Sequence, residues 1–99
     1  MTINIQYVKM LTSETMTDYV TKKLNKLGDK FDFIINANVF FKSENDPRGD
    51  SHICEIELSI PGPKTFASSK ERNFELAAKN SISDLTKQLE KRKATYKNH

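Results

Sequence analysis

A single cysteine, Cys54, rules out an internal disulfide and suits a reducing compartment. The three glycines fall in turn-like surroundings and cannot build a phosphate-cradling loop. No apolar run approaches the ~18 residues of a membrane span, and the opening MTINIQYVK has no signal-peptide core, so the cytoplasm is expected and a membrane is not. The two histidines, His52 at a strand start and His99 at the terminus, have no acid and nucleophile in a recognisable arrangement, and no metal-ligand spacing occurs. These absences lead us to expect no enzyme, no metal, no cofactor and no small-molecule substrate.

What remains is a chain of 99 residues, enough for one domain over residues 1–99 with a single layer of helix on a sheet. Apolar residues make up 36%, sufficient only if their pattern is regular. The net charge of +3 is modest, but it is unevenly spread. Residues 22–30 hold Lys22, Lys23, Lys26 and Lys30 against Asp29. Residues 79–99 hold Lys79, Lys87, Lys91, Arg92, Lys93 and Lys97 against Asp84 and Glu90. Between them, 44–57 reverses the sign, with Glu44, Asp46, Asp50, Glu55 and Glu57 facing only Arg48. Such polarity suits a directed electrostatic contact.

Ile3, Ile5 and Tyr7 alternate with polar residues, the period of a half-buried strand. A helix follows: Ser13 (or Thr12) can cap it, Glu14 complements its dipole, and Met16, Val20, Leu24 and Leu27 form one stripe. Gly28 is expected to end it as the C′ residue. A second strand spans about 34–43, with Ile35, Ala37, Val39 and Phe41 on one face. After a turn at 44–50 a third strand covers about 51–60, placing Cys54, Ile56, Leu58 and Ile60 inward and Ile53, Glu55 and Glu57 outward. A short fourth strand is expected near 65–69. A helix follows over about 72–96, with Phe74, Ala78, Ile82, Leu85, Leu89 and Tyr96 in one arc. At roughly 37 Å it should outrun the sheet, while Tyr96 anchors its end. The order β-α-β-β-β-α requires a right-handed crossover and then an antiparallel meander. The expected fold is α+β: a four-stranded sheet with two helices packed on one face.

The basic helices are the best candidate site. On the first, Lys22 and Lys26 share one flank of the stripe, with Lys23 at the boundary and Tyr19 nearby. On the second, Asn80, Asp84, Lys87 and Lys91 form a row, and Lys79, Glu90, Lys93 and Lys97 take the opposite flank. Arg92 lies near the apolar arc. Lysine-rich helix faces are commonly just solvated. Two such helices side by side, however, would bound a basic groove, and each phosphate neutralised there releases counterions. Tyr19 or Tyr96 could stack on bases, although aromatics at helical spacing are more often core.

Several motifs occur in order along the whole chain: INIQ at Ile3–Gln6, V-x-x-K-L-x-K-L at Val20–Leu27, I-N-x-x-V at Ile35–Val39, P-x-x-x-x-x-A-S at Pro61–Ser68 and D-L-x-K-Q-L-x-K at Asp84–Lys91. On these the chain resembles the ribosome hibernation promoting factor / ribosome-associated inhibitor A family, formerly the sigma-54 modulation protein family. The resemblance implies a fold similar to double-stranded-RNA-binding domains. It also implies binding of 16S ribosomal RNA on the small ribosomal subunit, in the channel used by messenger RNA and the A- and P-site transfer RNAs. Translation would be inhibited there in stationary phase or stress, by a protein monomeric when free. The family's basic positions match Lys23 and Lys26 on the first helix and Lys87 and Lys91 on the second, and Lys22 and Arg92 complete the expected rRNA-binding set. The chain departs from the pattern at Asp84, where a lysine is expected, and at Asn73-Phe74-Glu75, where a tyrosine is missing. Ending at His99, it resembles the short class of the family. The alternative is a protein-interaction module regulating a sigma factor through the exposed sheet face, with Phe40, Ile53, Glu55 and Glu57.

Overall fold

The computed structural model describes residues 1–97. The elements run β1 (Thr2–Tyr7), α1 (Glu14–Lys30), β2 (Asn36–Ser43), β3 (His52–Ser59), β4 (Thr65–Glu71) and α2 (Phe74–Lys97). The sheet order is β1-β2-β3-β4, with β1 parallel to β2 and the rest antiparallel. This is the expected β-α-β-β-β-α sheet with its two helices on one face. Period-2 alternation buries Ala37, Val39 and Phe41 on β2 and Cys54, Ile56 and Leu58 on β3. Against them pack Val20, Leu24 and Leu27 of α1 and Ala77, Ala78, Leu85 and Leu89 of α2. Buried Ser81 is not an intruder in this core: its hydroxyl donates to the Cys54 carbonyl at 2.7 Å and ties α2 to β3.

Four local expectations are corrected. Gly28 does not end α1; the helix runs to Lys30, and Phe31 closes it by donating its N–H to the Leu27 carbonyl at 2.8 Å. A Cβ at Gly28 would lie 3.0 Å from Met1 Cε, so the glycine serves close approach of the N-terminus. Ile35 is 57% exposed, because a turn at 31–34 tucks Ile34 into the core and shifts the alternation by one residue before β2 begins. Strand β4 continues to Glu71, with Lys70 and Glu71 in register with Ile53 and His52. Outward-facing Ile53 is only 9% exposed, lying in register between Lys42 and Lys70.

Ser13 caps α1, its hydroxyl accepting from the Met16 N–H at 3.2 Å, and Asn73 caps α2 in the same way toward Leu76 at 2.8 Å. The far end of α2 does not project freely. Tyr96 donates its hydroxyl to the Pro61 carbonyl and meets Phe33 edge-on at 5.1 Å. Arg92 donates to the carbonyls of Pro61 and Pro63 at 3.3 and 2.8 Å. Together they fasten the helix end to the β3–β4 turn.

Burial pushes the Cys54 thiol up to about 12, with Glu55 adding to the rise. At pH 8 about one thiol in ten thousand is then ionised. An aromatic disulfide reagent should therefore label Cys54 no faster than the chain opens. Labelling of the folded protein within the mixing time would contradict this burial.

On the outer sheet face, Lys70 clips the β2–β3 loop, meeting Glu44 at 2.6 Å and Asp46 at 3.0 Å. The Arg48 backbone N–H and then Lys70 hold the Asp46 carboxyl below its ordinary 3.8, and hydrogen bonds to Glu44 and Asp46 raise Lys70 above 10.5. A depressed acid stabilises fully above its ordinary value and loses that contribution as pH falls through the folded one. A raised base does so below its ordinary value, and loses it as pH rises through the folded one. The clip is therefore whole from about pH 4 to pH 10. Acidification below that window should shift the loop amides of Glu44 and Gly49 while the sheet amides stay in place, and Lys70→Ala should produce the same loop shifts at pH 7. A loop unmoved by either change would show the clip to be idle.

Candidate nucleic-acid interface

The heptad geometry that buries Val20, Leu24 and Leu27 leaves Lys22, two residues from both Val20 and Leu24, pointing away from the sheet. Lys23, Lys26 and Lys30 form a row at i, i+3 and i+7 on the side of α1 that meets α2. Lys30 pairs with Glu90 of α2 at 3.2 Å, with both side chains more than half exposed. Lys93 of α2 reaches over the Phe31 ring at 5.9 Å. Lys22, Lys23 and Lys26 are all exposed.

On α2 the flanks are sorted by what they touch. Glu90 and Lys93 turn toward α1, whereas Gln88 donates to the Phe66 carbonyl of β4 at 2.9 Å and Arg92 reaches the β3–β4 turn. Lys87, two residues from both buried Leu85 and Leu89, projects outward, and Lys91 follows one turn later. The structure thus brings Lys22, Lys87 and Lys91 to the outer surface of the helical layer and Lys23 and Lys26 to its central seam. Arg92 is set apart: half-buried, it spends two donors on the turn and keeps three.

The groove between the helices is therefore not bounded by Lys22/Lys26 and Lys87/Lys91 as two facing pairs. It is lined by Tyr19 and Lys23 from α1, Arg72 just before α2, and Glu75, Leu76 and Lys79 from its first turns, and has a volume of 370 Å³. Lys79 lies on the flank of α2 opposite the row Asn80, Asp84, Lys87 and Lys91, and Arg72 precedes the helix, so neither is among the contacts expected from sequence. The signal was available, since the sheet order places α1 over β1–β2 and α2 over β3–β4, which decides the flank of α2 that faces α1.

Charge is sorted between the two faces of the molecule. On the sheet side each lysine has an acid: Lys42 with Glu55 at 2.9 Å, Lys64 with Glu57 at 3.4 Å, and Lys70 with Glu44 and Asp46. Among the described residues, none of Lys22, Lys23, Lys26, Lys79, Lys87, Lys91 and Lys93 makes an ion pair. The helical side is left with uncompensated positive charge and the sheet side is nearly neutral. His52 packs edge-on against Phe74 at 4.6 Å, while His99 and the Lys97 side chain lie outside the described residues. Among the described residues there is no group of three or more His, Cys, Asp or Glu placed to hold a metal ion, and no helix is long and apolar enough to cross a membrane.

The fold is thus a four-stranded α+β sheet covered on one face by two lysine-studded helices. The sequence profile of the family described as Sigma 54 modulation protein / S30EA ribosomal protein matches residues 3–97, and the chain belongs to this family. A ribosome hibernation promoting factor of Pseudomonas putida is 29% identical over 93 residues, covering 94% of this chain and 87% of that protein. Among solved structures, a ribosomal subunit interface protein from Coxiella burnetii superposes with a TM-score of 0.84 at 21% identity, covering 95% of this chain and 99% of that one. The N-terminal domain of Thermus thermophilus Protein Y gives 0.78 at 22% identity, covering 92% and 98%. At these identities the two structures establish the shared fold.

Proposed function

We propose that this chain is a ribosome hibernation factor, a single ribosome-binding domain whose helical face docks on 16S rRNA of the small subunit. In the mRNA and A/P-site tRNA channel it would exclude those ligands and hold the ribosome inactive in stationary phase or stress. It acts by binding, without catalysis, in the cytoplasm and as a monomer when free. Family membership and the name of the Pseudomonas putida relative support the ribosome as partner. The observation that carries the reading is the sorting of charge, with lysines paired on the sheet while, among the described residues, the helix lysines other than Lys30 make no ion pair.

Lys22, Lys23, Lys26, Lys87 and Lys91 are the proposed phosphate contacts, and Arg92 adds its remaining donors at the edge. With about five phosphates neutralised, log affinity should fall against log salt with a slope of roughly −3.5 to −4.5. Co-sedimentation with isolated small subunits over a potassium chloride series measures this slope, and a flat response would sink the electrostatic reading. The apolar arc of α2 is spent on the sheet, which argues against an anionic membrane as target.

The outer sheet face favours one second reading. Phe66 of β4 is 52% exposed there, on the same face as half-buried Phe40 of β2 with Glu55 and Glu57 of β3 between them, a surface that could meet a protein such as a sigma factor. Recovery of a protein partner after nuclease treatment, without ribosomes, would favour it.

A further inference from the structure

The groove between α1 and the start of α2 has a chemistry of its own. Its walls bring three cations, Lys23, Arg72 and Lys79, around one carboxylate, Glu75, and set them beside the half-buried ring of Tyr19 and the side chain of Leu76. Among the described residues none of the three cations is in an ion pair, and the single carboxylate of Glu75 leaves the groove with a net positive charge. The volume of 370 Å³ sits within the ~300–1,000 Å³ range of small-ligand sites, more than a lone phosphate needs. The groove also lies at the N-terminal, positive end of the 24-residue helix α2, which adds to the field of the side chains. Asn73, also in the lining, spends its side-chain oxygen on the Leu76 N–H.

We propose that this groove holds one unpaired nucleotide of an RNA strand, its phosphate on Lys23, Arg72 and Lys79 and its base against Tyr19 and Glu75. The proposal rests on the reading that the helical face binds RNA, and it adds a single-strand contact to the phosphate surface. The position of Glu75 gives the site a direction. A carboxylate repels the phosphate, so the neutral base belongs at that wall, where the carboxylate accepts a hydrogen bond from an exocyclic amine. Adenine and cytosine carry such an amine and uracil does not. Lys23 Nζ now stands 5.7 Å from the Tyr19 ring centroid, near the ~6 Å limit of a cation–π contact. Its flexible stem lets the ammonium swing to the phosphate as a base takes its place on the ring. Bases within a duplex are stacked and paired, so a concave pocket of this size selects a single-stranded or splayed-out nucleotide.

Amide NMR titration of the whole chain with adenosine monophosphate, uridine monophosphate and inorganic phosphate tests the pocket, and hexaadenylate against a short RNA duplex tests the source. Adenosine monophosphate should shift the amides of Tyr19, Lys23 and residues 73–79, and bind about threefold tighter than uridine monophosphate and about tenfold tighter than phosphate. Hexaadenylate should bind at least about tenfold tighter than the mononucleotide. Arg72→Glu with Lys79→Glu, both at exposed positions, should weaken hexaadenylate by about tenfold or more and leave the duplex within about threefold. Glu75→Leu, which keeps the bulk and removes the acceptor, should erase the preference for adenine. Phosphate binding as tightly as the nucleotide, equal losses for single strand and duplex, equal affinity for nucleotide and hexamer, or no shifts at the groove would each overturn the proposal. A chain that ignores ribosomes yet passes the nucleotide titration would sink the functional reading and leave the pocket standing; the converse result would do the opposite.

Discussion

Reversing two charges, Lys87→Glu with Lys91→Glu, should weaken binding to the small subunit by about two orders of magnitude or more at low salt. Hydrogen bonds to charged groups are worth ~1.5–3 kcal/mol each, and ~1.4 kcal/mol is a tenfold change. Two lost phosphate contacts therefore account for about a hundredfold before the new repulsion is counted. The log–log salt slope should also flatten by roughly 1.4 to 1.8, because the counterions of two phosphates are no longer released. Both lysines are exposed on the outside of α2, two residues away from its buried leucines, so the fold should be untouched. The control that separates location from net charge is Lys42→Glu with Lys64→Glu. It removes the same charge from the sheet face, and both residues there already pair with acids. That variant should bind within about threefold of the parent. Equal losses in the two variants would mean that net charge, not the helical surface, drives association.

The architecture was legible in the sequence because each element announces itself by period. Alternation in β2 and β3 and the three- and four-residue steps of Val20, Leu24 and Leu27 are local signals. They mark Ala37, Val39, Phe41, Cys54, Ile56, Leu58 and the three helix residues, all buried, while Ile3, Ile5 and Tyr7 of β1 are partly buried. Residues depart from these periods where a turn or a tertiary contact overrides them. Gly28 looks like a helix terminator until Met1 is seen packed over it. Ile35 looks like a core residue until the turn at 31–34 puts Ile34 in its place. Ile53 looks exposed until two lysines in register flank it.

The candidate surface was legible in part for the same reason. Lys22, Lys23, Lys26, Lys87 and Lys91 are exposed, as helical periodicity demands. Which of them stand together depends on the helix–helix contact, which no single helix encodes. The pairing of Lys30 with Glu90 and the reach of Arg92 to the Pro61–Pro63 turn are settled by tertiary packing, so Arg92, placed by its sequence position near the apolar arc, is in the structure a clasp. Asp84 adds to this picture: the outer face of α2 is a short basic patch following an acid, not a continuous stripe.

Neighbouring phenylalanines on β2 give the sharpest test of the fold itself. Phe41 is fully buried, stacked on Tyr7 at 5.1 Å and edge-on to Phe74 at 5.5 Å, and so it joins β1, β2 and the start of α2. The Tyr7 hydroxyl donates to the Ser13 carbonyl at 2.7 Å and lies 2.8 Å from Thr17 Oγ1, which ties the same cluster to the cap of α1. Phe41→Ala removes the ring between three elements and leaves a cavity that neither helix can close without losing its other contacts. The expected cost is ~3–5 kcal/mol, against a total of ~5–15 kcal/mol for a domain of this kind. Melting should fall by roughly 15 °C or more, since each kcal/mol is worth ~4–8 °C at this size. Phe40, one residue away, points to the open sheet face opposite Glu55, and Phe40→Ala should cost only about 1 kcal/mol. Equilibrium urea unfolding of the two variants decides the matter. Similar midpoints for both would mean that the two faces of the sheet are not distinguished as the structure places them. A much lower midpoint for Phe41→Ala alone would show that the core cluster, rather than strand content, carries the stability on which the helical surface depends.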